Sequence, residues 1–290
     1  MAKLLLGREV ADALSEQLKT KVDALKAKGV TPTLVILRLG ENAGDLSYEK
    51  GTRARAAQLG VRVHTIDFPK SVSAEKLMAV IDDLNLDPQV HGVLLFRPLP
   101  EQLKARENEI CNRLDPRKDV DGMTDLSAAG VYTGQPLGFP PCTAAACMEI
   151  LEHYGIDTVG KKAVVMGRSL VIGRPAALML MHRHATVTVI HTRTEDPQEY
   201  LPQADILICA AGAKNLINAR MVRPGQTVLD VSMNWDPEKV TPKGKGGMVG
   251  DCCFSEVEPI VQAITPVPGG VGAVTNTVLM KHVIRAAELA

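Results

Sequence analysis

Aromatic side chains are scarce in this chain of 290 residues: Phe, Tyr and Trp together make up 3% of it, and there is a single Trp. The charges cancel, with 33 basic and 33 acidic side chains. A protein that binds nucleic acid normally has an excess of positive charge, and single-strand binders also use aromatic stacking platforms. Both absences argue against a nucleic-acid partner.

Long apolar runs are missing as well. No stretch approaches the ~18 uninterrupted apolar residues of a membrane-spanning helix, and the first residues lack the apolar core of a signal peptide. The six cysteines form no CxxC pair, and none lies at metal-ligand spacing from a histidine. These patterns predict a cytoplasmic protein with unpaired thiols, no membrane anchor and no bound metal.

Short apolar runs alternate with amphipathic stretches along the chain. Such alternation indicates parallel sheets covered by helices. One sheet would have to hold about nine strands, so two domains are more economical. The segment 132–141, which is rich in Gly and Pro, is the best boundary candidate. The predicted strands are 33–37, 61–66, 90–95, 162–166, 186–190, 206–210 and 228–231, and the predicted helices are 10–25, 46–59, 73–86 and 173–184.

The segment 163–175 reads AVVMGRSLVIGRP and places a Gly-containing turn between a strand and a helix. Gly167 would permit a tight turn, and Gly173 would allow close packing or the approach of a ligand. The start of a helix offers free N–H groups and partial positive charge, which suit a phosphate. The pattern is not GxGxxG, so these local features are equally compatible with an ordinary turn that binds nothing.

The residues that follow the next predicted strand bear on cofactor choice. In a dinucleotide-binding unit this position meets the adenosine ribose, where an acidic residue favours NAD and basic or hydroxyl residues favour NADP. Here Thr192 and Arg193 occupy it, and Arg168 could reach the 2′-phosphate that distinguishes NADP from NAD. The residues favour NADP over NAD, the alternative being that both Arg side chains are solvated surface groups.

Five motifs follow one another along the chain: PLP at 98–100, KDVDG at 118–122, PCT at 141–143, GRSxxxG at 167–173 and ITPVPGGVG at 264–272. In their sequence and order they resemble the methylenetetrahydrofolate dehydrogenase/cyclohydrolase family. The C-terminal motif is the most specific of them.

The resemblance implies an α/β fold with two domains and a cleft between them. Residues 1–140 with 273–290 would form the folate domain, to which a final helix from about 274 to 289 returns, and residues 141–272 a Rossmann-like NAD(P)-binding domain. The implied activity is oxidation of methylenetetrahydrofolate to methenyltetrahydrofolate by hydride transfer to NADP, with NAD as the alternative. The family also implies a cytoplasmic homodimer that serves one-carbon metabolism and purine biosynthesis.

Carried over residue by residue, the resemblance assigns catalytic and folate-binding roles to Tyr48 and Asp121. Tyr48 would stack on the aminobenzoyl ring, and the Asp121 carboxylate would accept hydrogen bonds from the pterin. Taken alone, Tyr48 could be a core side chain and Asp121 a turn residue. Further substrate contacts fall on Pro268, Gly269 and Gly270, and cofactor contacts on Gly167, Arg168, Ser169, Thr192 and Met233.

The sequence departs from the family at two positions. The family has a Lys four residues after its Tyr, where this chain has Thr52, and a Gln two residues before PLP, where this chain has Phe96. The spacing leaves no room for a gap, because Tyr48 lies eight residues after Gly40 and twelve before Gly60, as in the family.

These two positions separate the family's two activities. Hydride transfer needs two carbons held in place, whereas the cyclohydrolase step needs protons moved, for which a Lys assisted by a Gln is suited. Loss of a general base typically lowers a rate ~10²–10⁴-fold. We therefore predict a dehydrogenase with weak or absent cyclohydrolase activity. The alternatives are a bifunctional enzyme in which Lys50 or Arg53 replaces the Lys, a non-catalytic folate- and dinucleotide-binding protein, and a dehydrogenase of another small substrate.

Overall fold

The computed structural model describes residues 1–242 and 244–290. The chain divides into two compact units. The three-stranded unit comprises Ala13–Cys142 and Asn276–Ala290, and the six-stranded unit comprises Met1–Asp12 and Thr143–Thr275. The main sheet of each unit is parallel and connected through helices, which confirms the predicted α/β class. Within these residues no helix is both long and apolar enough to cross a membrane.

Helices and strands alternate along most of the chain. In order they are β1 (Lys3–Leu4), α1 (Gly7–Ala27), β2 (Thr33–Leu39), α2 (Ala43–Leu59), β3 (Arg62–Phe68), α3 (Ala74–Leu86), β4 (Gly92–Leu95), α4 (Glu101–Lys104), α5 (Glu107–Asn112), α6 (Asp125–Thr133), α7 (Cys142–His153), β5 (Lys162–Met166), α8 (Gly173–His182), β6 (Thr186–Ile190), β7 (Ile206–Cys209), β8 (Thr227–Asp230), β9 (Asn234–Thr241), β10 (Gly244–Val249), α9 (Phe254–Val257), β11 (Ala263–Ile264) and α10 (Thr275–Leu289).

The sheet of the three-stranded unit has the order β3-β2-β4. Its central strand β2 is an apolar run whose residues are all buried except the partly exposed Arg38, as expected for a parallel strand covered on both faces. Helix α2 begins where the Asn42 side chain accepts a hydrogen bond from the Gly44 N–H, and it ends at Gly60 in the left-handed conformation. These local signals place the start of α2 just beyond the end of β2.

The sheet of the six-stranded unit has the order β1-β11-β8-β7-β5-β6. The consecutive strands β6 and β7 lie on opposite sides of β5, so the chain reverses its direction of progress across the sheet there. In open parallel sheets such a switch point leaves a crevice at the carboxyl ends of the two strands concerned, and ligands bind in it. The crevice of this sheet therefore lies where β5 and β7 end.

Seven strands were predicted, and each is present, with β5 and β6 at the predicted bounds. The strands without a prediction are β1 and β11, which have two residues each, and the antiparallel pair β9 and β10, which is polar and Gly-rich. Since β1 pairs with β11, Met1–Asp12 is part of the compact six-stranded unit. The functional domain limits, 1–140 with 273–290 and 141–272, stay a prediction.

His282 on α10 is buried inside the three-stranded unit. Its Nδ1 lies 2.9 Å from the Val120 carbonyl oxygen and 3.7 Å from the Cys142 sulfur, and its ring packs against that of Phe139. Burial lowers the pKa of His282 to about 4, and the contact with the Val120 carbonyl opposes this only in part. The imidazole is therefore neutral in the folded protein at neutral pH.

Replacing His282 with Gln should reduce the loss of stability in acid. The unfolded histidine takes up a proton near pH ~6.5, whereas the folded one resists protonation down to about pH 4. The stability from this group is therefore complete above pH ~6.5 and is lost as the pH falls. The free energy of unfolding of the wild type, relative to that of H282Q, should fall by about 2–3 kcal/mol between pH 7 and 4.5.

Urea unfolding of both proteins at the two pH values measures this difference. The same replacement at the exposed His64 of β3 is the control and should keep the pH dependence of the wild type. Equal pH dependence of H282Q and the wild type would contradict the assignment.

Candidate active site

Gly167 directly follows β5 at the switch point of the six-stranded sheet. Its φ is +116°, and a Cβ atom there would lie 2.2 Å from the carbonyl oxygen of Ala210, which follows β7. Its N–H donates to the carbonyl oxygen of Ile190, the last residue of β6. Only glycine can adopt this backbone conformation and come this close to the Ala210 carbonyl. The turn therefore packs directly against the segment after β7 and the end of β6.

The start of α8 differs from the expectation of free N–H groups. The Ser169 hydroxyl accepts hydrogen bonds from the N–H groups of Ile172 and Gly173, and the Ser169 carbonyl accepts one from Arg174. In the part of the chain that the structure describes, the backbone N–H groups of residues 168–171 have no acceptor. The loop before the helix, rather than the helix itself, therefore offers the donors that a phosphate requires.

The turn after β6 holds its own backbone together. The Thr194 hydroxyl accepts from the His191 N–H at 2.9 Å, and the His191 Nδ1 accepts from the Arg193 N–H at 3.2 Å. Thr192 and Arg193 are exposed at the same edge of the sheet as Gly167. The strand end at this position meets the adenosine ribose in a dinucleotide-binding sheet, so a cofactor contact by Thr192 and Arg193 stays a prediction.

Met233 and the segment Pro268–Gly270 border one cavity of about 250 Å³ within the six-stranded unit. The Gly7 N–H donates to the Gly269 carbonyl at 2.8 Å, and a Cβ at Gly7 would lie 2.0 Å from the Gly270 carbonyl oxygen. The start of α1 therefore fixes this loop. No local sequence pattern points to Gly7, because the loop that it contacts lies at Gly269 and Gly270, near the other end of the chain.

Tyr48 on α2 contacts Phe96, which follows β4. Their ring centroids are 6.0 Å apart and the rings are nearly perpendicular, at 87°. Both side chains are half-buried at the carboxyl edge of the three-stranded sheet. Phe96 therefore supports the predicted folate-stacking residue by an edge contact and presents no hydrogen-bonding group of its own.

Most of the KDVDG segment has a structural role. Lys118 donates to two carbonyl oxygens at the end of α3, and the fully buried Asp119 accepts three hydrogen bonds from the residues that begin α6. Val120 is in the core. Asp121 is half-buried, and it accepts a long hydrogen bond from the Cys142 N–H, at 3.4 Å.

Arg97, which the sequence motifs did not single out, carries a charge that acts on Asp121. Burial raises the pKa of Asp121, and the hydrogen bond from Cys142 and the positive charge of Arg97 act against that increase. Arg97 is itself half-buried between Phe96 and the PLP motif. The signal in the sequence was a cation directly before PLP, but only the fold shows that its charge acts on Asp121.

Thr52, which we predicted to stand at the position of the family's Lys, is fully buried. Its hydroxyl donates to the Asn276 Oδ1 at 2.7 Å, and a Cβ at Gly51 would lie 2.8 Å from the Asn276 Nδ2. Thr52 and Asn276 therefore form a hydrogen-bonded pair that fills the space beside α2.

The two cationic residues near Thr52 in the sequence, Lys50 and Arg53, have side chains in surroundings different from those of Thr52. Lys50 is exposed. Arg53 donates to Glu49 at 2.8 Å and to Thr65 at 2.5 Å. Burial would raise the pKa of Glu49, but hydrogen bonds from Thr65 and Arg53 and the charge of Arg38 outweigh it, so that pKa is lowered. Arg53 is thus fixed to a carboxylate on the sheet side of α2.

Two family profiles cover most of the chain. Residues 5–121 match the catalytic domain, and residues 141–290 the NAD(P)-binding domain, of tetrahydrofolate dehydrogenase/cyclohydrolase. The chain belongs to this family. The membership confirms the resemblance seen in the motifs.

Relatives match over the full length of the chain. The bifunctional protein FolD of Carboxydothermus hydrogenoformans is 44% identical over 289 residues, which cover 100% of this chain and 98% of that protein. The structure of the Campylobacter jejuni FolD dehydrogenase/cyclohydrolase is 36% identical with a TM-score of 0.93, covering 100% of this chain and 99% of the other. The Trypanosoma brucei enzyme, solved with NADP and an inhibitor, is 32% identical with a TM-score of 0.91, covering 99% and 98%.

The six-stranded unit fits the nicotinamide dinucleotide that this family uses. At the switch-point crevice, the loop with free amides suits a pyrophosphate, and the exposed Thr192 and Arg193 at the next strand end suit a ribose. The cavity beside Met233 offers space for a ring.

Replacing Gly167 with Ala should weaken dinucleotide binding by about tenfold or more, equivalent to 1.4 kcal/mol, because the new Cβ would collide with the Ala210 carbonyl and displace the loop. Titration calorimetry with NADP measures the effect. Gly160→Ala is the matched control, since Gly160 lies at the other end of β5, also has a positive φ, and has open space around its Cβ position. If G167A bound as tightly as G160A, the turn would not shape the site.

Proposed function

We propose that this protein oxidises methylenetetrahydrofolate to methenyltetrahydrofolate with NADP, in preference to NAD, and that its cyclohydrolase activity is weak or absent. The observation that carries the second part is the burial of Thr52 in a hydrogen bond with Asn276. The family membership of both units supports the first part. A cytoplasmic homodimer that supplies one-carbon units for purine biosynthesis belongs to the same proposal.

In this proposal the folate is bound by the carboxyl edge of the three-stranded sheet. The Tyr48 ring, held by Phe96, offers a face to the aminobenzoyl group. Asp121 accepts hydrogen bonds from the pterin, and Cys142 is its hydrogen-bond donor among the described residues, so its oxygens keep acceptor capacity for a ligand. Arg97 favours the ionised form of that carboxylate. In the six-stranded unit, we assign substrate contacts to Pro268, Gly269 and Gly270 from the resemblance to the family.

The dehydrogenase step requires little acid–base catalysis from these residues. The dinucleotide supplies the carbon that accepts the hydride, and the two nitrogens of the substrate stabilise the methenyl cation. The protein holds the reacting groups in place and excludes water. Gly167, Arg168, Ser169, Thr192 and Met233 are the residues we assign to cofactor binding. Rigid loops and a stacked ring are sufficient for this role.

The hydrolysis step needs a group that can take up and release a proton, and the residues near Thr52 do not provide one. The Thr52 hydroxyl is a weak acid whose proton is committed to Asn276. Arg53 is held by Glu49, and a guanidinium does not deprotonate at neutral pH. Lys50 is exposed on another face of α2, about 200° around the helix from Tyr48. These contacts disfavour a bifunctional enzyme.

The purified protein should accumulate methenyltetrahydrofolate from methylenetetrahydrofolate and NADP. Acid converts any formyl product back to the methenyl form, so absorbance is read before and after acidification, with NADP and then with NAD. We expect acid to add no signal. A signal that appears chiefly after acid would show hydrolysis, and binding of both ligands without any hydride transfer would favour the non-catalytic alternative.

The double variant T52K/N276A should gain hydrolysis of methenyltetrahydrofolate by at least about tenfold, since a general base typically contributes ~10²–10⁴-fold. Asn276 is replaced as well because the Thr52 side chain contacts it, so a longer side chain at position 52 would collide with it. The loss of methenyl absorbance gives the rate. N276A alone is the control and should stay at the wild-type rate; a gain in that variant would show that no Lys is required.

Arg193→Ala should raise the KM for NADP about tenfold and leave the KM for NAD within about twofold, because a charge-assisted contact to the extra phosphate is worth roughly 1.5–3 kcal/mol. Steady-state kinetics with each dinucleotide measure the ratio, and Arg168→Ala tests the second guanidinium in the same way. Arg220→Ala, an exposed Arg of the same unit, is the control. Equal effects on both dinucleotides would remove Arg193 from phosphate recognition.

A further inference from the structure

Asp251 has no exposed surface, and its carboxylate accepts hydrogen bonds from the backbone of the loop that follows β7. Its Oδ2 accepts from the N–H groups of Ala211 and Gly212, at 2.6 and 3.2 Å. Its Oδ1 accepts from the N–H of Ala213 at 2.9 Å. Three consecutive amides that converge in this way form a concave anion site, and here the protein's own carboxylate fills it.

The same carboxylate also holds the loop that follows β8. The Ser232 hydroxyl donates to the Oδ2 at 2.8 Å, and the Asn234 amide donates to the Oδ1 at 3.2 Å. Ser232 further accepts from the Gly212 N–H at 3.1 Å, which joins the two loops directly. Met233, between these two side chains, therefore has both neighbours fixed by Asp251.

Asp251 is itself held in place from below. Its own N–H and that of Cys252 donate to the two oxygens of Asp230, each at 2.9 Å, and Asp230 is the last residue of β8. The nearby cation Lys214 is paired with Asp236 at 2.9 Å. Among the described residues the hydrogen-bond donors to Asp251 are all uncharged, so dipoles alone compensate its charge.

Both loops are walls of the candidate dinucleotide site. Ala210 faces the Gly167 turn at the switch point, and Met233 borders the 250 Å³ cavity beside Pro268–Gly270. Asp251 lies behind them, with no surface of its own to offer a ligand. It also occupies the amides of residues 211–213, which leaves the loop 168–171 as the place for a pyrophosphate.

We propose that Asp251 is a positioning residue of the dehydrogenase, which sets the shape of the dinucleotide site by tying the loops after β7 and β8 to one buried carboxylate. The effect on catalysis rests on the proposed function. The hydrogen-bond network and its effect on dinucleotide affinity can be tested without turnover.

Asp251→Asn is the informative variant, because it keeps the shape of the side chain and turns one acceptor oxygen into a donor that faces other donors. The Kd for NADP should rise at least about tenfold, the equivalent of losing one charge-assisted hydrogen bond. The KM for methylenetetrahydrofolate should change less than about twofold. A general loss of structure would instead weaken the binding of both substrates. Asp157→Asn, an exposed Asp that accepts one backbone hydrogen bond in the same unit, is the control.

Amide hydrogen exchange at residues 211–213 reads the network directly and should be faster in D251N than in D157N. Faster exchange with unchanged NADP affinity would overturn the positioning role, and unchanged exchange would overturn the network. If D251N does not fold, Ser232→Ala removes one donor and should give a smaller rise in Kd, about threefold; no rise would overturn the proposal. Absent hydride transfer by the wild type would instead refute the proposed function, and the binding and exchange results would still stand.

Discussion

The approach of the Gly167 backbone to the Ala210 carbonyl is the contact on which the dinucleotide side of this protein depends. It occurs where β5 and β7 end side by side, because the chain places β6 on one flank of β5 and β7 on the other. A side chain at position 167 would separate the two loops. With glycine there, the turn, the loop after β7 and the end of β6 form one continuous edge.

Buried carboxylates organise much of what surrounds the candidate sites. Asp119 begins α6, Glu49 binds two guanidinium groups and a hydroxyl, and Asp251 holds two loops. Each is satisfied by several donors, as a buried carboxylate must be if it is to remain charged. Such groups are committed to structure. Asp121, at the carboxyl edge of the three-stranded sheet, accepts from Cys142 and keeps acceptor capacity, and the charge of Arg97 favours its ionised form.

The chemistry proposed for the protein follows from which polar groups are left uncommitted. Hydride transfer requires shape, and the closed loops and the Tyr48–Phe96 pair provide it. Ring opening by water requires a base, and the proposal that this activity is weak or absent rests on Thr52, whose hydroxyl donates to Asn276.

Local patterns predicted the strands and helices that alternate in each unit, because their apolar periodicity and their caps, such as Asn42 and Gly60, act over a few residues. The motifs identified the family and the residues proposed to contact folate and dinucleotide. Contacts between distant segments were beyond such patterns. The pairing of β1 with β11 joins Lys3 to Ala263, and the burial of Thr52 depends on a residue 224 positions later.

By itself, then, the sequence determined the α/β class, the family and the absence of a Lys at position 52, since these depend on residue identity, order and local spacing. Only the tertiary structure decided that the amides before α8, rather than those of the helix, are free, that Arg97 acts on Asp121, and that Asp251 ties two loops together. Hydrogen bonds and charges act through space, and the fold alone brings their distant partners within reach.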